Sequence, residues 1–260
     1  MHTLSSWRAS LSAYERGAGA RIVEYEPGDL TVIVEAETRV GELGALLAER
    51  GQRLSLDPPG DPTLGECLLE DLSGPLRHRF GTMRDLILGV SVVLKDGLRA
   101  HAGGKVVKNV AGYDLGKLFC GSRGRLGSVE RLALRLHPLP SAARSVVIDA
   151  GRWAQLHDSQ LVPSAVDLVG DRLHVLFEGS AAAVDSQLLA LAGEESDAWP
   201  QIRALQATLP GRRRWDGEPG AGDEAPLVRP GPRVAYTREA SDEHWSPLAE
   251  RVMEALWTRS

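Results

Sequence analysis

The run HAGGKVVKNVAGYDLGKLFCGSRGRLGSVE, residues 101–130, sets Gly103, Gly104, Gly112, Gly116, Gly121, Gly124 and Gly127 between two segments of strand character. Glycine at that density costs backbone entropy, so each position answers either a positive φ or a close approach of backbone to something flat or anionic. A bound cofactor and a set of tight turns and helix caps both satisfy this pattern, and composition leaves the two open. The spacing of Gly121, Gly124 and Gly127 leads into a strand rather than from a strand into a helix, which argues against a dinucleotide fingerprint of the G-x-G-x-x-G kind. The chain has no G-x-x-x-x-G-K-[ST], C-x-x-C, H-E-x-x-H or G-x-S-x-G, so P-loop, zinc and nucleophile-elbow readings fall away.

Outward from this run the elements are legible. Downstream, Val129 to Leu136 alternates, with Leu132, Leu134 and Leu136 on one side and Arg131, Ala133 and Arg135 on the other, which predicts a strand with one wet face. Pro138 and Pro140 then mark a boundary. Upstream, Ile87 to Leu94 and Leu98 to Ala102 flank Lys95-Asp96-Gly97 as a hairpin. A helix is expected at Leu115 to Phe119, and a short one ending near Asp71. Before it, DPPGDPTLG (57–65) carries Pro58, Pro59 and Pro62, which remove donors and fix φ, so it is a shaped loop. Arg21 to Tyr25 and Leu30 to Val34 read as strands around the Pro27-Gly28 turn. Thr38 is expected to cap a helix with Val40, Leu43 and Leu47 on one face. A first short helix is expected at Leu4 to Arg16.

Beyond Pro140, Ala165 to Val169 and Arg172 to Phe177 flank Gly170-Asp171 as a second hairpin. Ser180 caps a helix carrying Val184, Leu188 and Leu191. The segment 211–232, rich in Gly, Pro and charge, is expected to be an exposed loop, with a strand at Arg233 to Tyr236 and a last helix at Ser246 to Trp257 after it. The domains expected are 1–140 and a small α+β layer at 141–260.

Composition narrows the classes. The chain has 260 residues, 43% of them hydrophobic and 25% charged, with a net charge of −5, which gives no electrostatic reason to bind nucleic acid or an anionic membrane surface. No window approaches the roughly 18 apolar residues of a membrane span, so direct membrane insertion is not expected. Cys67 and Cys120 have neither metal spacing nor a paired framework and fit a reducing cytoplasm. The histidines show no ligand spacing, so no metal site is expected and no catalytic residue is named.

The phrases DPPGDPTLG (57–65), LSGPLRHRFGTMRDLILGVSVVLKDG (72–97), GGKVVKNVAGYDLGKLFCGS (103–122) and GRLGSVERLALRLHPLP (124–140) resemble the FAD-binding domain of the vanillyl-alcohol-oxidase type. Within it they are most similar to the FAD-binding subunit of glycolate oxidase. The resemblance implies an α+β fold of that type with a small α+β cap-like C-terminal domain, and FAD as the cofactor. It implies that Pro58, Pro59, Gly60, Thr63, Leu64 and Gly65 line the pyrophosphate and ribityl region, with the Thr63 hydroxyl as a donor. Ser73 and Gly74 would sit beside the flavin, and Gly81, Arg84 and Asp85 would shape the same pocket. Lys108, Asn109, Gly112, Tyr113 and Asp114 would form the second wall, with Gly124, Leu126 and Gly127 closing over one end. Each residue also has a packing alternative: Arg84 with Asp85 as a surface ion pair, Tyr113 in the core, Asp114 as a helix cap.

Two departures set further expectations. The R-G-G-G loop that the family uses around the pyrophosphate is not recognisable before Ile22, so the fold is expected to be N-terminally shortened. Glu66 and Asp71 stand where the family favours small or neutral residues, and near a pyrophosphate they would repel it. The resemblance implies work in a complex with a catalytic FAD subunit and an iron–sulfur subunit, oxidising a 2-hydroxy acid in the cytoplasm or at a membrane through those partners. A second reading, motivated by the two carboxylates and the missing loop, is a redox-inactive interaction subunit that keeps the fold without FAD.

Overall fold

The computed structural model describes residues 20–103, 115–219 and 225–240. The helices expected at Leu4 to Arg16 and Ser246 to Trp257, and the residues Lys108, Asn109, Gly112, Tyr113 and Asp114, lie outside the described residues. The chain divides into two units. The first comprises Met1–Ser55, Asp61–Leu72 and Leu86–Leu139, and the second comprises Leu56–Gly60, Ser73–Asp85 and Pro140–Ser260.

In the first unit the described strands are β1 (Ile22–Glu26), β2 (Thr31–Glu35), β3 (Gln52–Arg53), β4 (Ile87–Leu94), β5 (Arg99–Gly103), β6 (Gly127–Arg135) and β7 (His137–Pro138). Five of them form an antiparallel sheet in the order β1-β2-β6-β4-β5, and β3 pairs with β7 separately. Alternation decides the inner face: Val32 and Val34 on β2, Leu132 and Leu134 on β6, and Val90 and Val92 on β4 are all buried. The unit's helices add Leu43 and Leu47 from α1 (Val40–Ala48), Leu64, Cys67 and Leu68 from α2 (Leu64–Leu69), and Phe119 from α5 (Leu115–Phe119) to its buried residues. Two local expectations are corrected. Leu30 is not in the strand: its φ of 55° places it in the left-handed turn that closes Pro27–Asp29. Thr38 does not cap α1, whose N-cap is Arg39 with Glu42 accepting from the Arg39 backbone; the Thr38 hydroxyl instead accepts from the Arg21 backbone N–H.

In the second unit, α3 (Arg77–Phe80) and α4 (Met83–Leu86, which ends at the unit boundary) precede β8 (Ala142–Asp149), α6 (Trp153–His157), β9 (Ala165–Val169), β10 (Arg172–Gly179), α7 (Ala181–Leu191), β11 (Glu194–Glu195), α8 (Trp199–Ala207), β12 (Gly211–Arg214), β13 (Leu227–Arg229) and β14 (Val234–Thr237). The described strands form a seven-stranded antiparallel sheet in the order β11-β8-β10-β9-β13-β14-β12. Its central strands are buried on both faces. Val166, Leu168, Val228 and Ala235 pack in a core with Val184 and Leu191 of α7, whereas Ala165, Leu227, Val234 and Tyr236 pack with Trp199 and Ile202 of α8.

The expected exposed loop over 211–232 is corrected here. Gly211 to Arg214 pairs with β14 as an edge strand, Trp215 is buried, and Leu227 to Arg229 form a central strand. The charge that suggested solvent lies at an edge, where Arg213 and Arg214 are exposed, and on Arg229, which is buried against a carboxylate.

Candidate functional site

Two loops of the second unit are tied to each other and to α8. The Asp57 carboxylate accepts from the Leu76 backbone N–H at 3.0 Å through Oδ1 and from Arg203 at 2.9 Å through Oδ2. Burial pushes the Asp57 carboxyl up to about 6, against the pull of Arg203. The Ser73-Gly74 turn lies directly on the Asp57 backbone: a Cβ at Gly74 would sit 1.7 Å from the Asp57 carbonyl oxygen, so only glycine fits. The Ser73 carbonyl accepts from Gln206 Nε2 at 2.8 Å, and its hydroxyl is within 3.3 Å of Arg77. Pro58 is buried and Pro59 half-buried. Gly60 turns outward with a φ of +73°. At the other end of the segment, Asp85 accepts from the Thr82 backbone N–H at 2.9 Å, closing the turn begun by Gly81 at φ +77°. Asp85 is thus a turn residue, while the Arg84 side chain is exposed.

Behind these loops, on the α8 side of the sheet, sits an ion pair with both side chains at 0% exposure. Arg229 donates to Asp167 from Nε at 3.0 Å and from an Nη at 3.2 Å, with further bonds to the Tyr236 hydroxyl and to Gln206 Oε1 at 2.7 Å. Burial opposes the charge of Arg229, and Asp167 more than offsets it, holding the guanidinium above its ordinary value. Sequence reading passed over Asp57, Asp167, Arg203, Gln206 and Arg229, because no spacing links residues so far apart.

In the first unit, Thr63 caps α2. Its hydroxyl accepts from the Glu66 backbone N–H at 3.1 Å, and Glu66 returns the bond by accepting from the Thr63 N–H at 2.7 Å. T-L-G-E at 63–66 is therefore a capping box, a signal present in the sequence. Glu66 is committed to the helix N-terminus, where a carboxylate is favoured. Leu64 is fully buried, and Gly65 packs on Ala36, where a Cβ would meet the Ala36 side chain and carbonyl at 3.1 Å. Asp71 adopts a φ of +49° and accepts from the Cys120 thiol at 3.3 Å. Burial first, then the nearby carboxylates of Glu66 and Asp61, push the Cys67 thiol up to about 12, so it is inert packing at neutral pH. Replacing Thr63 by alanine is expected to cost about 1 kcal/mol of stability in urea unfolding, the usual loss for an N-cap.

The glycines of the 101–130 run divide by cause. Gly103 and Gly127 serve the sheet, since a Cβ would lie 2.2 Å from the Leu88 carbonyl oxygen and 2.1 Å from that of Val93. Gly121 and Gly124 serve turns with φ of +75° and +71°. Between these two lies Ser122, fully buried, whose hydroxyl has no partner among the described residues. Leu126 is buried beneath the same turn. A buried hydroxyl without a partner costs on the order of 1–3 kcal/mol, which a bound polar group would relieve. Among the described residues no group of three or more His, Cys, Asp or Glu could hold a metal ion, and no helix is long and apolar enough to cross a membrane.

Residues 15–103 match the family described as FAD binding domain. The chain is 32% identical over 204 residues to the glycolate oxidase subunit GlcE of Escherichia coli, covering 73% of this chain and 58% of that protein. It is 32% identical over 170 residues to the glycolate oxidase subunit GlcD of Bacillus subtilis, covering 62% and 36%. To the mitochondrial D-lactate dehydrogenase [cytochrome] 1 of Saccharomyces cerevisiae it is 30% identical over 166 residues, covering 61% and 28%. A solved structure of alkyldihydroxyacetonephosphate synthase matches with a TM-score of 0.57 at 18% identity, covering 70% of this chain and 43% of that one. These matches and the observed sheets define an FAD-binding fold of the vanillyl-alcohol-oxidase type. The chain shares an FAD binding domain with glycolate oxidase subunits and D-lactate dehydrogenases, and it spans less than two thirds of the length of these relatives.

Proposed function

We propose that this chain is the FAD-binding subunit of a glycolate-oxidase-like complex that oxidises a 2-hydroxy acid, working beside a catalytic FAD subunit and an iron–sulfur subunit. The observation that carries the reading is the match of residues 15–103 to the FAD binding domain, in a chain that also retains the phrases at 57–65 and 72–97. Bound FAD supplies a two-electron acceptor, and the protein supplies its orientation and electrostatic setting. As the resemblance implies, Pro58, Pro59 and Gly60 would offer backbone to the cofactor, Ser73 and Gly74 would lie at the flavin, and Gly124, Leu126 and Gly127 would close over one end of it. Thr63, Leu64 and Gly65 would fix the shape of that wall from within, since the first caps α2 and the other two are buried. Gly81, Arg84 and Asp85 would extend the flavin side, and Lys108, Asn109, Gly112, Tyr113 and Asp114 the opposite wall.

The redox-inactive alternative rested in part on Glu66. The capping box accounts for the presence of that carboxylate without reference to a phosphate. Glu66→Gln is accordingly expected to leave FAD affinity within about twofold, because glutamine also completes a capping box. Tightening by tenfold or more in a flavin-fluorescence titration would restore the repulsion argument. The cofactor reading itself is tested by purifying the full chain, alone and with its co-expressed partners, and measuring flavin released on denaturation. About one FAD per chain is expected in the assembled form; a chain that stays flavin-free in both preparations after FAD addition overturns the proposal.

A further inference from the structure

We infer that Arg203 and Gln206, one turn apart on α8, are positioning residues for the FAD, fixing through Asp57 and the Ser73 carbonyl the two loops that meet it. The inference rests on the proposed cofactor site. A helix places residues i and i+3 on one face, so both side chains leave α8 in the same direction. Arg203 ends on the Asp57 carboxylate at 2.9 Å and Gln206 on the Ser73 carbonyl at 2.8 Å. Asp57 then holds the Leu76 N–H, so each loop is gripped directly and each is also braced on the other at Gly74.

The Arg229–Asp167 pair determines which way the Gln206 amide points. A guanidinium only donates, so the amide oxygen must face Arg229, which leaves the NH2 group to face Ser73. The reverse orientation would set two donors against each other and leave the Ser73 carbonyl without this bond. The buried charge thus acts as an anchor, Gln206 as a relay, and the Ser73–Gly74 peptide as the output. No cis peptide occurs among the described residues. In a trans peptide the N–H points opposite to the C=O, so fixing the Ser73 carbonyl on Gln206 turns the Gly74 N–H away from α8. A stability role alone would be met by any residue that fills the volume of Gln206; orienting the peptide requires a donor at that atom.

The full chain, purified with the partners it assembles with, provides the test. Gln206→Glu keeps an acceptor for Arg229 and removes the donor to Ser73, and Arg203→Gln removes the cation paired with Asp57. Both variants are expected to raise the FAD dissociation constant by tenfold or more, to change the visible circular dichroism of the bound flavin, and to speed amide exchange over 73–76 in the flavin-free chain. Should Gln206→Glu fail to fold, Arg203→Gln and the exchange measurement at Leu76 carry the test. Wild-type affinity, flavin dichroism and exchange in the variants would overturn the positioning role while leaving the FAD reading intact. Wild-type protein that takes up no FAD would remove that reading and this inference with it.

Discussion

Replacing Arg229 by alanine is expected to lower the stability of the second unit by about 3–5 kcal/mol, the usual consequence of removing one partner from a buried ion pair. Both side chains of the pair are fully excluded from solvent, and the Asp167 carboxylate has the guanidinium as a bidentate partner. Without it the carboxylate must be buried uncompensated or take up a proton, and the Tyr236 hydroxyl and Gln206 amide lose a donor at the same time. The companion variant separates charge from volume. Arg229→Met combined with Asp167→Leu removes both charges while leaving apolar bulk in a core that already holds Leu227, Val234 and Ile202, and is expected to recover most of the loss. Urea unfolding monitored by tryptophan fluorescence gives both values, with Trp199 and Trp215 buried in this unit as reporters. Equal losses in the single and double variants would mean that packing rather than charge compensation sets the energetics.

The second large effect is expected at Gly74. Alanine there brings a methyl group within 1.7 Å of the Asp57 carbonyl oxygen and 2.4 Å of its carboxylate, contacts that real atoms do not tolerate. The neighbour is backbone held by its own side-chain bonds to Leu76 and Arg203, so it cannot yield cheaply. A loss of about 3 kcal/mol is expected, the upper part of the range for overpacking, and, on the proposed site, loss of FAD binding as both loops move apart. Gly60→Ala is the control. It has a positive φ, but a Cβ there meets nothing within 4 Å, so only left-handed strain of about 1–2 kcal/mol applies. Thermal unfolding and flavin titration of the two variants check the contrast, and Gly74→Ala behaving like Gly60→Ala would show that the two loops are not locked as the geometry requires.

The sequence alone carried the α+β class and much of the element pattern. The alternation over 129–136, the Asp-Gly and Gly-Asp hairpin turns at 96–97 and 170–171, and the Ser180 cap are each fixed by a few neighbouring residues, and all appear as expected. The T-x-x-E box at 63–66 was equally local. That spacing accounts for Glu66 within its own helix.

Tertiary structure decided what depends on distant partners. The charge-rich 211–232 segment reads as solvent-exposed until β14 pairs with Gly211–Arg214 and Asp167 meets Arg229 across 62 positions of sequence. Likewise Gln206 reaches Ser73 across 133 residues and Arg203 reaches Asp57 across 146. Local propensity responds to the nearest few residues, whereas burial of a charge is tolerable only where the fold delivers its counter-charge. The sequence thus determined the fold class, and only the packed second unit determined which side chains hold the loops at Asp57 and Ser73 in shape.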